Sequence, residues 1–470
     1  MRTERDSLGT KRLPSSAYYG IQTQRAVENF PISGLRLPHQ MVRSMVEVKR
    51  AAALTNRRLG LLSAARARAI VRACDEVLKG RFRAQFVVDA FQAGAGTSFH
   101  MNVNEVLANR AAELLGGRKG DVALMHPNDH VNMAQSTNDV FPTTIRLSAL
   151  ALLPELRASL ARLETVLAKQ ARAYQRVVKS ARTHLQDAVP IFVGETFTAY
   201  ALAVRKAHRR IVEQADRLRE LNLGATAVGT GLNAHPRYRA LAIQALRRRL
   251  RVPLRPAQHL PEITQSLADF VGVSSALKGL AVELIRLAND LRLMSSGPST
   301  GIAELELPAV QPGSSIMPGK VNPVMAEVTD MVGFQVIGND LAITMAAQAG
   351  QFELNVMMPI VAHNLLQSLL ILTNVTRQLA DRCIAGITVD AAMCRAHAER
   401  SLAIVTALNP SIGYQAAAKV AKEAMRRREL IREVVVEQGL LSAADAARIL
   451  DPKRLARGST VRPERPTPHR

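Results

Sequence analysis

Apolar residues recur at helical spacing through stretches of this chain far longer than an ordinary globular helix, and that narrows the fold more than any other feature. From Thr143 to about Ser180, Leu153, Leu156, Leu160, Leu163 and Leu167 step by threes and fours. At about 1.5 Å per residue such a rod runs for roughly 50 Å or more. Four further stretches, at 191 to 221, 264 to 294, 323 to 347 and 353 to 380, repeat the pattern. Rods of that length suit a bundle whose helices also serve an interface between subunits. The expectation is a mainly all-α chain with a central long-helix bundle.

Polar residues gather in the breaks between the rods. The divisions expected are a mixed, mostly helical N-terminal domain over 1–138, the long-helix bundle over 139–389 and a small helical C-terminal domain over 390–450. A mobile basic tail is expected over 451–470, where Pro452, Pro463, Pro466 and Pro468 alternate with Arg. Near the N-terminus, 64 to 80 reads as an amphipathic helix with Ile70, Cys74 and Val77 on its apolar side.

The formal charge of +23 raises the question of a nucleic-acid partner. Basic residues are spread along most of the chain, Trp is absent and no aromatics interleave them, so no nucleic-acid role is expected. A positive field would still draw small dianions inward and weaken with salt. Cys74, Cys383 and Cys394 sit at no metal-ligand or redox spacing and fit buried thiols in a reducing cytosol. The charged opening Met1-Arg-Thr-Glu-Arg-Asp does not resemble a secretory leader, and no run approaches 18 consecutive apolar residues. A cytoplasmic location with no membrane partner is expected.

Gly313-Ser-Ser-Ile-Met-Pro-Gly-Lys-Val-Asn322 is the densest polar break. Gly313, Pro318 and Gly319 keep it out of helix or strand, so Ser314, Ser315, Lys320 and Asn322 ride on a hinged loop, as in a mobile lid. Ser314 and Ser315 could supply a nucleophile or base, Lys320 a fixed positive charge for a carboxylate, and Asn322 a neutral clamp. A plain surface turn has the same composition. Gln92-Ala-Gly-Ala-Gly-Thr-Ser could bring backbone close to a ligand, or Thr97 and Ser98 could cap a helix starting near Asn102. Ser136, Thr137 and Asn138 precede the first rod, where they could cap, bind an anion, or both. His126 and His130 lie four apart, but Pro127 between them and the lack of a third ligand argue against a metal. No metal or cofactor is expected.

Five positions of the loop, Gly313, Ser314, Met317, Lys320 and Asn322, match the signature of the aspartase/fumarase superfamily, which the chain resembles. Blocks at Tyr18 to Phe30, Gly94 to Glu105, His126 to Asp139, Arg182 to Pro190, Gly224 to Asn233 and Gly313 to Val324 are similar, in the same order, to those of its aspartate ammonia-lyases. The resemblance implies a three-domain, almost all-helical subunit. It also implies a homotetramer around a twenty-helix bundle, with active sites each assembled from three subunits. The implied reaction is reversible elimination of ammonia from L-aspartate to give fumarate. By resemblance Ser314 is the base, Lys320 and Asn322 bind the α-carboxylate, and Thr97, Ser136, Thr137 and Ser315 hold the carboxylate beside the acidic carbon. Asn138, Thr183 and His184 match the surroundings of the amino group.

Fumarate hydratase shares the signature and is the alternative. Ser136-Thr137-Asn138, His184-Leu185-Gln186 and Tyr19 resemble the ammonia-lyase forms, whereas Gly319 is the usual hydratase residue and Met358 replaces a Glu found in ammonia-lyases. A non-catalytic scaffold, like the lens crystallins drawn from the superfamily, is a remote third reading; every matched polar position here is filled.

Overall fold

The computed structural model describes residues 1–458. In chain order the elements that matter below are α1 (His39–Arg58), α2 (Thr97–Leu114), α3 (Thr137–Ala173), β1 (Val178–Thr183), β2 (Gln186–Phe192), α4 (Val193–Ala215), α5 (Ala268–Met294), α6 (Val324–Gln348) and α7 (Met358–Arg382). The five expected rods are α3 to α7, and strands are few and short. The all-α reading therefore holds.

The chain divides into two compact units, one made of 1–158, 207–282 and 332–374, the other of 159–206, 283–331 and 375 onward. Each of α3 to α7 gives residues to both.

In the first unit α1 is buried on most of its surface, with Met41, Val42, Met45, Val46, Val48 and Ala52 inside. Arg146 on α3 is also buried; its Nη1 pairs with Asp269 at 2.9 Å and its guanidinium lies over the Phe270 ring. Burying a guanidinium is costly unless such partners are present. The helix over Ala64–Leu78 buries Ile70, Cys74 and Val77 as expected and is capped by Ser63. Glu105 of α2 accepts from the N–H groups of Gly20, Gln22 and Thr23, which caps the helix Ile21–Asn29 and ties the N-terminal segment to α2.

The second unit holds the antiparallel hairpin β1–β2 and the C-terminal helices. Ile404, Leu408, Val420, Ile431 and Val434 form a core of their own among those helices. Part of the segment expected to be mobile is ordered: Pro452–Ala456 is a short helix, capped by Asp451 and with Pro452 buried. Pro at the first helical position needs no N–H partner, which turns a supposed breaker into a start. The rest of that tail, 459–470, lies outside the described residues.

The first rod is displaced from its expected bounds at both ends. It starts before Pro142, because the Asn138 carbonyl that Pro142 cannot serve accepts from Asn222 Nδ2 at 3.2 Å. It stops at Ala173, because β-branched Val178 pairs with Phe192 and the Gly194 N–H takes the Tyr174 carbonyl. One stretch, Met358–Gly386, is apolar and long enough to cross a bilayer, although polar residues interrupt its apolar run. Two-thirds of its most apolar window is buried within the protein, as in a core helix.

Candidate active site

Four of the expected site residues lie in the first unit, at two helix N-termini. Thr97 opens α2 and is exposed, its hydroxyl 3.5 Å from the Gly94 carbonyl. Neither Thr97 nor Ser98 caps the helix; Gln92 does so, its Oε1 accepting from the Phe99 N–H at 2.7 Å. The glycines before α2 serve packing. At φ +87° Gly96 is left-handed, and a Cβ there would lie 2.2 Å from the Phe141 ring.

Ser136, Thr137 and Asn138 stand at the start of α3. Ser136 Oγ accepts from the Asn138 N–H, so it caps, and the Ser136 N–H is held by Asp139 Oδ1 at 2.9 Å. Asp139 Oδ2 also accepts from the Gly224 and Thr226 N–H groups. Burial pushes the Asp139 carboxyl up to about 6, against the downward pull of those N–H groups and of Lys49. Asn138 Nδ2 donates to the Ala227 carbonyl. The two helix ends are joined by His100 of α2, whose Nδ1 lies 2.8 Å from Thr137 Oγ1, and His100 Nε2 in turn lies 2.5 Å from the buried Lys49 Nζ.

The other six lie in the second unit. Thr183 ends β1, and His184 with Leu185 forms the two-residue turn of the hairpin, since Thr183 pairs with Gln186. Both turn residues are left-handed, at φ +56° and +59°, a conformation that favours Gly or Asn. His184 and Leu185 are exposed at the tip. One pair in from the turn, Arg182 holds the buried Glu304 through two hydrogen bonds of 3.1 and 2.8 Å. Burial alone would raise the Glu304 carboxyl, but Arg182, Lys179 and His397 bring it below its usual value.

The loop Gly313–Asn322 is closed on itself. The Gly313 N–H donates to the Lys320 carbonyl at 2.8 Å, and Asn322 Nδ2 donates to the Gly313 carbonyl at 2.6 Å. A Cβ on Gly313 would sit 2.4 Å from that Lys320 oxygen, so the closure requires glycine. Ser314 Oγ accepts from the Ile316 and Met317 N–H groups at 3.2 and 2.9 Å. Two N–H dipoles aimed at one hydroxyl oxygen favour its anionic form. Ser315 and Lys320 are exposed, with no side-chain partner among the described residues.

The structure thus brings Thr97, Ser136, Thr137 and Asn138 to neighbouring helix ends within one unit, and Thr183, His184, Ser314, Ser315, Lys320 and Asn322 to a tip and a loop in the other. Two cavities, of about 480 and 620 Å³, lie among the C-terminal helices and contain none of these ten residues. His126 and His130 are engaged in a turn: His126 Nδ1 accepts from the Asn128 and Asp129 N–H groups, and His130 Nδ1 from that of His126. Sequence reasoning missed Lys49, His100 and Asp139. The available signal was a lysine at 49, where the apolar period of α1 (42, 45, 46, 49, 52, 53) calls for a hydrophobe.

Residues 9–338 match the family model described as "Lyase", and residues 404–457 the one described as "Fumarase C C-terminus". The chain is 49% identical to the aspartate ammonia-lyase of Bacillus sp, across 96% of this chain and 97% of that protein. Among solved structures, a fumarate lyase:delta crystallin from Brucella melitensis bound to cobalt is 47% identical, with a TM-score of 0.93 over 97% of this chain and 99% of that one. A class II fumarase from Schistosoma mansoni is 38% identical, with a TM-score of 0.92 over 97% of this chain and 99% of that one.

Proposed function

This chain belongs to the aspartase/fumarase superfamily of lyases, and from that premise we propose that it eliminates ammonia from L-aspartate, reversibly, to give fumarate. It is a carbon–nitrogen lyase. The observation that carries the reading is identity of 44 to 49% with aspartate ammonia-lyases along nearly the whole chain.

The chemistry asks for a strong base and a site that stabilises developing charge. The C–H of aspartate beside its β-carboxylate is weakly acidic, and losing the proton places two negative charges on that carboxylate. Ser314 takes this proton; the two N–H groups already on its Oγ support the role, because they stabilise an alkoxide. The electron pair from the broken C–H bond is held as an enediolate. It then forms the carbon–carbon double bond as the C–N bond breaks and ammonia leaves with its own pair.

Thr97, Ser136, Thr137 and Ser315 donate to the β-carboxylate, neutral donors whose hydrogen bonds strengthen as charge grows. Lys320 and the remaining amide hydrogen of Asn322 bind the α-carboxylate. Asn138, Thr183 and a neutral His184 surround the amino group.

A homotetramer with composite sites is part of the proposal. On α6, Met331, Phe334, Leu341 and Met345 form an exposed apolar stripe at helical spacing, with Gly338 in line and open space where its Cβ would be. Such a stripe supports close approach of a helix from a second copy. A cytoplasmic location is supported by the three buried thiols.

Fumarate hydration is the second reading, favoured by Gly319 and by the likeness to the class II fumarase. Incubating purified protein separately with L-aspartate and L-malate while following fumarate absorbance tests all three readings. Signal from aspartate alone is expected; signal from malate alone selects the hydratase, and from neither a scaffold.

A further inference from the structure

Lys49 is fully buried in α1, yet Asp139, whose charge acts on it, makes no ion pair with it. Instead Nζ has three neighbours at hydrogen-bond distance: Asn132 Oδ1 and Gln135 Oε1, both at 2.9 Å, and His100 Nε2. The two amides cannot be turned round. Asn132 Nδ2 donates to the Gln135 carbonyl, and Gln135 Nε2 to the carbonyls of Val131 and Met133, so their oxygens face Lys49 as acceptors only.

That arrangement orders the protons beyond it. An ammonium gives two hydrogens to the amide oxygens and the third to His100 Nε2, so the ring proton must sit on Nδ1 and point at Thr137 Oγ1. Thr137, already accepting, is then free to turn its own O–H outward. If Lys49 loses its proton, the chain reverses: Nε2–H donates to the amine, Nδ1 accepts from the Thr137 hydroxyl, and Thr137 offers only an oxygen.

We propose that Lys49 and His100 are positioning residues whose ordered hydrogen bonds make Thr137 a donor to the substrate's β-carboxylate. This rests on the carboxylate-binding reading of Thr137 given above. The groups facing the pair are Asp139 and Cys74 around Lys49, and Lys49, Thr137 and the Asn132 amide around His100. Burial pulls the Lys49 ammonium well below its ordinary value, with Asp139 opposing. Rising pH therefore drives the reversal sooner than it would for an ordinary lysine.

His100→Asn supplies the test, because an amide Nδ2 at the place of Nδ1 donates to Thr137 whatever the state of Lys49. With whichever of L-aspartate and L-malate the wild type turns over, Lys49→Met is expected to lower kcat/KM by about tenfold or more. In the His100→Asn background the same change is expected to cost about twofold or less. An equal loss in both backgrounds means that Lys49 only supports the turn at 132–135, and no loss in either removes it from the site; each overturns the proposal. Should Lys49→Met not fold, pH profiles of the wild type and His100→Asn decide. The wild type is expected to show an alkaline fall in kcat/KM that His100→Asn lacks, and identical limbs overturn the proposal. Turnover of neither substrate by the wild type refutes the functional reading itself, a result separable from any behaviour of the variants.

Discussion

At the N-termini of α2 and α3 the polar side chains are braced by the packed core around them, whereas the loop Gly313–Asn322 is braced by its own backbone. Thr137 leans on His100 and Lys49, and the chain entering α3 hangs on Asp139, whose oxygens gather N–H groups from 136, 224 and 226. Ser314 leans on the N–H groups of its neighbours two and three residues on, and the loop is shut by Asn322. The first arrangement is as stable as the unit that contains it. The second can move as a piece without losing its internal geometry. Substitutions in the first should cost stability and activity together, and those in the second activity alone.

The largest effect tests the second half of that contrast. Ser314→Ala is expected to lower kcat for ammonia release about a thousandfold or more while leaving the melting temperature unchanged. Full turnover by this variant would remove Ser314 as the base. Next comes Asp139→Asn, which leaves backbone N–H groups facing an amide and should destabilise the fold by about 2 kcal/mol in denaturant titrations. Activity should fall in step with the folded fraction. Because the folded Asp139 is raised from 3.8 to about 6, the folded state binds the extra proton and stability falls as pH rises between those values. The gap between wild type and variant should therefore be widest near pH 4 and narrow through pH 6.

Gly313→Ala sharpens the same comparison more gently. Its methyl would collide with the Lys320 carbonyl, so the loop must open; kcat/KM should drop about tenfold with melting unchanged. A parallel loss of stability would mean that the loop is part of the core after all. The smallest effect belongs to the hairpin tip. Leu185→Gly relieves a left-handed leucine and should stabilise the protein by about 0.5 kcal/mol in thermal melts.

Much of this was legible beforehand. The rods declared themselves because Leu153 to Leu167 and their counterparts keep one period over many turns, and long periods are hard to mistake. The loop residues were legible through resemblance, since Gly and Ser alone describe any turn. The bounds of α3 were not, because they depend on Asn222 and Gly194, distant residues that rescue one carbonyl and take another. Nor could sequence show that His184 and Leu185 would both be left-handed, a conformation the surrounding hairpin imposes against their own preference. Buried Lys49 announced itself only as a break in the apolar rhythm of α1, and its partners come from two other segments, α2 and the turn at 132–135.

The long helices are shared between the two units, and the ribosome makes them in order. The first unit draws on residues up to 374, so at about 5–20 residues per second roughly 20 to 75 s of synthesis pass before it can close. Through that interval the apolar sides of α3, α4 and α5 wait in the nascent chain without the segments that will cover them. A truncated message ending short of residue 374 yields a polypeptide with no complete unit to bury those surfaces, which makes it a substrate for chaperones and proteases.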